Sequence, residues 1–547
     1  MRNSIQKICV LMLIIAPFSI PLGAQRAQGA QPESSDSAEL VWVYLKPKGH
    51  QYGPQAQQVV ESLILQRQED AEPRQSERRR LRRTSPVAGL FDIRDVPVDA
   101  ASVEAISRVA KVRVQSSWLN AVSVRATQAQ IAQIQCLAGV ERIEPVRLGS
   151  RRMAELPFGY LERIEENPYA GRDFYGLAGP QLEQISLPAM HARGFTGAGV
   201  VIGILDTGFR TDHIVFNHAI HPIEIIAAHD FINDDSIVGF QTGDPSDQHV
   251  HGSLILSCIG AYEPQRMMGG AYDASFILAK TEDVSSETPI EEDYYVAGLE
   301  FIEAQGADVA TSSLGYIDWY TQGDLDGATA VTTIAVNIAT ENGLHCCTAA
   351  GNEGNDQNPA TSRIIAPADA LRVITCGAVN IEGAITGFSS DGPSADGRVK
   401  PEVLACGRST VCINPYNTSE LVTASGTSLS TPLVASAVAC LVQAHPDWTV
   451  DQMREFLFAA ATDAVANGTH DPLFVRGFGV IDTLGAHLLD YCPADFNNDG
   501  GVDGSDIEQF FLKWESGEAG ADTNNDGGVD GIDVETFFNL WEAGGCN

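Results

Sequence analysis

The sequence predicts an α/β protein built on a doubly wound parallel sheet, with a small α/β unit before it and a small helical module after it. Three observations lead there. From about residue 178 to 490, short apolar runs alternate with longer amphipathic stretches, the pattern of buried parallel strands covered by helices on both faces. Residues 38–147 carry a separate strand–helix–strand pattern. Residues 491–547 hold an internal repeat followed each time by an aromatic helix.

A chain of 547 residues is expected to fold as about three to four units. Hydrophobic residues make up 44%, enough for a sizeable core. The formal net charge of -36 repels nucleic acid and anionic membranes, so neither is an expected partner.

The first 27 residues read as a secretory signal. Arg2 and Lys7 form a basic start, Ile8 to Leu22 is almost wholly apolar, and small residues between Ala24 and Ala30 offer cleavage sites. The apolar run is short of the ~20 residues a spanning helix needs. No membrane span is expected once it is removed, and the expected location is extracellular. Of 11 cysteines, Cys9 leaves with the signal. Export permits disulfides among the rest. Cys492 and Cys546 are an expected pair, Cys406 and Cys412 bracket a short loop suited to a second, and Cys258 and Cys440 read as core thiols.

In the unit over 38–147, Val41 to Leu45 suits a strand, and a polar helix follows from about Pro54. The run Glu77 to Arg83, with five arginines, reads as a solvated helix face or loop, or as a site of proteolytic cutting. Trp118 to Ala126 suits a strand, Thr127 and Gln130 have capping-box spacing, and Val140 to Val146 suits another strand. Within 178–490, strands are expected over Val200–Leu205, Ser275–Ala279, Val309–Ser313, His345–Ala350 and Val373–Val379. Helices are expected over Ile290–Gln305 and Ala328–Asn342. Catalytic groups in such sheets gather at the carboxyl ends of the strands.

Hydrolysis by a nucleophile needs a hydroxyl, a base to take its proton and an acid to orient that base. Gly199 to Gly208 is a buried strand ending in the carboxylate of Asp206. His251-Gly252-Ser253 opens one apolar helix, and Gly426-Thr427-Ser428 opens another. Pro432 is placed near that helix start, where a missing N–H is tolerated, and Ser428 near free N–H groups that suit an oxyanion. Ala349-Ala350-Gly351-Asn352 ends a strand with an amide able to donate to the same oxyanion. His249 is the alternative base, and His213 reads as structural. The acidic segments Glu282–Glu287 and Glu291–Asp293 read as a solvated loop, with a calcium site or a lip for basic substrates as alternatives.

Asp206-Thr207-Gly208, His251-Gly252, Gly351-Asn352 and Gly426-Thr427-Ser428 resemble the signature segments of subtilisin-like proteases, in that family's chain order of Asp, His, Ser. Ser312-Ser313-Leu314-Gly315 and Phe388-Ser389-Ser390-Asp391-Gly392-Pro393 add to the likeness, which runs from about Gly197 to Ala486. It implies a subtilisin-like doubly wound sheet and a secreted serine endopeptidase acting on polypeptides. Ser428 would be nucleophile, His251 general base and Asp206 its orienter. Asn352 and the Ser428 N–H would hold the oxyanion. No cofactor is implied for the chemistry. The strand–helix–strand unit from Trp118 to Val146 resembles the back half of an inhibitor-type prodomain, which would make 38–147 that prodomain, so maturation is expected by self-cleavage between about 148 and 178, near Arg151-Arg152. Ser253 departs from the family's usual Thr. The competing reading is a catalytically silent binding protein acting through its tail.

In the tail, residues 495–506 recur as 522–533, an offset of 27. Calcium takes six to eight oxygens, supplied in such loops from positions 1, 3, 5, 7, 9 and 12. The first copy offers Asp495, Asn497, Asp499, the Gly501 carbonyl, Asp503 and Asp506. The second offers Asp522, Asn524, Asp526, the Gly528 carbonyl, Asp530 and Asp533. Asp at position 12 and the short run before Asp495 resemble dockerin modules. That resemblance implies Ca2+ and, as partner, a cohesin-like scaffold or cell-surface protein. The positions after loop position 9 lack the paired hydroxyls of well-known cohesin binders, so a self-contained structural module is the rival.

Overall fold

The computed structural model describes residues 38–146, 161–163, 173–284, 291–317, 319–490, 492–497, 501–524 and 528–543. The expected secretory segment and the expected junction at Arg151-Arg152 lie outside them.

Seven strands form the central sheet: β5 (Val201–Asp206), β6 (Glu224–Asp230), β7 (Ser275–Lys280), β8 (Val309–Ser312), β9 (His345–Ala349), β10 (Ile374–Val379) and β11 (Val403–Cys406). Labels β1 to β4 belong to the preceding unit. Their spatial order is β11-β10-β9-β8-β5-β7-β6, and every pair is parallel. The side chains explain why. Ile202 and Ile204 of β5 join one core layer with α5 (Val250–Gly260) and α8 (Thr427–Ala444). Val201 and Leu205 join the other with α6 (Glu291–Ala304) and α7 (Val331–Glu341). Alternate residues therefore bury on opposite faces, which only a sheet covered on both sides satisfies. The chain starts at β5, fills one side through β6 and β7, then the other through β8 to β11. The switch falls beside β5, where Asp206 ends the strand.

Helix α8 is long and apolar enough to cross a membrane by length and composition. It was not foreseen as such a segment, and 94% of it is buried as the core helix of this domain. Cys406 and Cys412, proposed above as a bridge, are both free and buried. Cys412 lies in an antiparallel hairpin opposite Val422 and turns into the core. Cys258 and Cys440 are free core thiols. Cys492 is disulfide-bonded, while Cys546 lies outside the described residues.

The preceding unit holds β1 (Glu39–Leu45), α1 (Ala56–Glu69), α2 (Pro73–Arg82), α3 (Ala100–Ser107), β2 (Val112–Ser116), β3 (Ala121–Ala126), α4 (Gln128–Gln135) and β4 (Val140–Pro145). Its strands pair antiparallel in the order β2-β3-β1-β4. Thr127 and Gln130 form the expected capping box on α4. The arginine run is helical, and only part of it is a solvated face: Glu77 and Arg80 are exposed, while the opposite face is buried. Arg78, Arg79 and Arg82 are at most 3% exposed and point from α2 into acids of the large domain.

The tail forms two helices, α9 (Gly504–Ser516) and α10 (Gly531–Glu542). Phe510 and Phe537 stack face to face at 4.3 Å. Trp514 donates its indole N–H to the Asp530 carbonyl, and Trp541 donates to the Asp503 carbonyl. Each copy thus ties its aromatic helix to the other copy's loop.

Candidate active site

Asp206 ends β5 and is fully buried. Its carboxylate accepts the Thr207 N–H at 2.7 Å and the His251 Nδ1–H at 2.8 and 3.0 Å. His251 lies in the first turn of α5 and is 3% exposed. That turn comes so close because residue 252 is glycine. A Cβ there would stand 2.3 Å from the Gly208 carbonyl oxygen and 3.0 Å from the Asp206 Cβ. With Nδ1 donating, Nε2 carries the lone pair. It is buried and has no hydrogen-bond partner among the described residues.

Ser428 is the second residue of α8, where backbone N–H groups have no intrahelical acceptor. In this structure its hydroxyl donates to the Ser313 carbonyl at 3.3 Å, not to His251. Pro432 stands a turn further into α8 than the first positions where a missing N–H is free of consequence. It removes the donor for the Ser428 carbonyl, and the Ser313 hydroxyl takes that place at 2.9 Å.

Asn352 follows β9. The Thr427 N–H reaches its side chain at 2.9 Å and the Thr427 hydroxyl at 3.0 Å. A backbone N–H can only donate, so the atom facing it is Oδ1, and Nδ2 keeps its donors on the Gly426 side. The four predicted residues therefore fall in two contact pairs, Asp206 with His251 and Asn352 with the helix turn bearing Ser428.

Ser253 accepts the Arg210 N–H at 2.7 Å and donates to the His249 carbonyl, a packing role. His249 bonds the Pro415 carbonyl at 3.1 Å and not Asp206. His213 is buried between the Glu420 carbonyl and the Val215 N–H, and burial lowers its pKa to about 4.

Residues 197–479 match the Subtilase family. The chain belongs to that family. Residues 40–155 match the peptidase S8 propeptide domain of Bacteroidota. The protein is a serine endopeptidase of the subtilisin type with an N-terminal propeptide. Similar proteins include subtilisin E from Bacillus subtilis (strain 168), 27% identical over 64% of this chain and 78% of its own length. The alkaline protease of Alkalihalobacillus alcalophilus is 28% identical over 51% of this chain and 64% of its own. Among solved structures, fervidolysin from Fervidobacterium pennivorans, described as a keratinolytic enzyme related to subtilisin, superposes with a TM-score of 0.53 at 22% identity. The match covers 72% of this chain and 60% of that one.

The acidic stretch of this subtilase is less solvated than its composition suggests. Glu282 and Glu292 are buried and accept hydroxyl donors from Tyr316 and Tyr320 at 2.5 and 2.7 Å. Asp293 accepts from Ser123 of the propeptide at 2.5 Å. Residues 285–290 lie outside the described chain. In the tail, Asp506 accepts the backbone N–H groups of Asn497 and Asp503 at 3.0 and 2.8 Å. Asp533 does the same with Asn524 and Asp530 at 3.2 and 2.8 Å. Among the described residues no three His, Cys, Asp or Glu side chains are grouped to hold a metal. Asp499 and Asp526, the position-5 donors, lie outside them.

Proposed function

We propose that this subtilase is a secreted endopeptidase that cuts polypeptides through Asp206, His251 and Ser428, after its own removal of the propeptide. Ser428 Oγ swings from the Ser313 carbonyl to His251 and attacks the substrate carbonyl carbon while His251 Nε2 takes its proton. Asp206 holds the imidazole in the tautomer that leaves Nε2 free and stabilises the imidazolium. The oxyanion receives hydrogen bonds from Asn352 Nδ2–H and the Ser428 N–H. The C–N bond then breaks, and His251 returns the proton to the leaving amine. Water repeats the sequence on the acyl-enzyme, with His251 taking its proton and giving it back to Ser428 Oγ.

The observation that carries this reading is the buried Asp206–His251 pair with Nε2 left over. Casein hydrolysis by the secreted, processed chain tests it. Ser428→Ala and His251→Ala should each remove nearly all activity, and combining them should add little. In Ser428→Ala the signal-cleaved precursor should accumulate uncut.

For the tail we propose two calcium loops of the dockerin-like kind. The supporting observation is that Asp506 and Asp533 are fully buried carboxylates placed alike in both copies, each clamped by the amides of loop positions 3 and 9. The donors are hard oxygens, as calcium requires, and buried carboxylates are commonly paired with a cation. Bound calcium would supply folding free energy to the module. It has no role in the hydrolysis. Calorimetry on the full chain tests this: two ions per chain are expected.

A further inference from the structure

Three neighbouring strands set the direction in which a substrate lies. His251 stands with Asp206 at the end of β5. The Ser428 hydroxyl rests on the Ser313 carbonyl, just past β8. Asn352 stands past β9. These strands lie side by side in the order β9-β8-β5. In the reaction proposed above, His251 returns its proton to the leaving amine, so the amine side of the cut bond faces β5. The residue that supplies the attacked carbonyl therefore lies over the ends of β8 and β9, with its oxygen at Asn352. Its side chain falls into the gap between the chains that leave those two strands, residues 313–316 and 350–352.

That gap is bordered by glycine and filled by a later segment. Gly315 stands on one side and Gly351 on the other. Residues 364–366 run between them, bonded to both. The Ile365 N–H donates to the Ala350 carbonyl at 3.2 Å, and Ala366 exchanges bonds with Tyr316 at 2.8 and 3.0 Å. Successive side chains of an extended segment point to opposite sides. Ile364 and Ala366 turn into the core layer of α6 and α7, and Ile365 turns the other way. A Cβ on Gly315 would overlap the Ile365 Cδ1, and one on Gly351 would stand 3.3 Å from both Ile365 Cγ1 and Cδ1. Two positions without side chains thus face one branched side chain, which takes the space they leave. Ile365 is 2% exposed, so little of that space stays open.

We propose that Ile365 plugs the pocket for the residue whose carbonyl Ser428 attacks, and that the enzyme cuts after small residues: glycine, alanine and serine. A leucine or phenylalanine side chain needs the volume that Ile365 holds, and a close-packed site resists added methylenes. One methylene in a pocket already changes rates about tenfold or more. The proposal rests on the endopeptidase reading above and names its substrate class.

Three peptides that differ only in the residue before the cut bond, Ala, Leu or Phe, test it on the processed chain. The kcat/KM for Ala should exceed that for Leu and for Phe at least tenfold. A smaller preference, or one for Leu or Phe, would overturn the plug and leave the endopeptidase reading standing. Hydrolysis of neither the peptides nor casein would strike that reading, and the plug with it. Ile365→Ala should raise the ratio of Phe to Ala turnover at least tenfold. Such a ratio, taken within one preparation, does not depend on how much of the variant folds. A smaller rise would overturn the role of Ile365. Mass spectrometry of casein fragments repeats the test without any variant: cuts should follow Gly, Ala and Ser, and cuts chiefly after large apolar residues would overturn the proposal.

Discussion

Ser313 and Ser428 exchange hydrogen bonds in both directions: the Ser313 hydroxyl donates to the Ser428 carbonyl at 2.9 Å, and the Ser428 hydroxyl donates to the Ser313 carbonyl at 3.3 Å. The first bond replaces the one Pro432 cannot make within α8. The second parks the proposed nucleophile beside the strand that ends at Ser312.

Ser313→Ala should leave the Ser428 carbonyl buried and unsatisfied, at a cost of about 1–3 kcal/mol. Pro432→Ala restores a backbone donor four residues on. The cost of Ser313→Ala should therefore fall by half or more in a Pro432→Ala background. Denaturant midpoints of the four variants, made in Ser428→Ala to prevent self-digestion, measure the coupling. Equal costs in both backgrounds would place the compensation elsewhere.

Asp206→Asn keeps the shape of the pair but lets the amide donate to His251 Nδ1, which puts the proton on Nε2. The catalytic rate should fall by about 10⁴, the size of this change in another Ser-His-Asp triad. KM should move little. Steady-state kinetics on a small peptide check both numbers, and a large rise in KM at unchanged kcat would mean that Asp206 serves binding.

The catalytic domain should lose stability as pH falls from about 6.5 to about 4. Burial lowers His191, His213 and His445 to about 4 and His487 to about 3, from 6.5. The unfolded chain then binds more protons, so these residues contribute stability above 6.5 that is lost on acidification. Glu300 acts in the other sense. Burial raises it from 4.5 to about 7, against Ser116, Ser117, Trp118 and Lys48. Its contribution is present below 4.5 and fades as pH rises through 7. Glu300→Gln should therefore steepen the acid loss of the uncut Ser428→Ala precursor. A shallower profile, followed by urea midpoints from pH 4 to 7.5, would reverse the assignment.

Asp495→Ala and Asp522→Ala should each remove about one calcium ion per chain and leave hydrolysis of a small peptide unchanged. Titration calorimetry and peptide turnover on the same samples separate the two effects. Calcium loss that abolished peptide turnover would join the tail to the active site.

Much of this was legible beforehand. Asp206, His251 and Ser428 each sit where an apolar run ends or begins, and a both-faces-buried sheet makes such junctions conspicuous. Strand β6 was missed because its apolar run, Ile225 to Ala228, is short and lies only part-buried at the sheet edge. Arg78, Arg79 and Arg82 were misread for a different reason. Their i, i+1, i+4 spacing puts them on one face of α2, but Glu303 and Asp308, which desolvate them, lie more than 220 residues away. Local composition shows the charges and not their partners. The Ser313 bond was hidden in the same way, since only the absent Pro432 N–H hints that Ser428 needs a donor.

The most direct test of the hydrolytic account is to label the processed chain with a serine-directed covalent inhibitor and map the adduct by mass spectrometry. One adduct per chain, on Ser428, with loss of casein hydrolysis in proportion and no labelling in His251→Ala, is the predicted result. Full inactivation with the adduct on another residue, or undiminished labelling of Ser428 in His251→Ala, would contradict it.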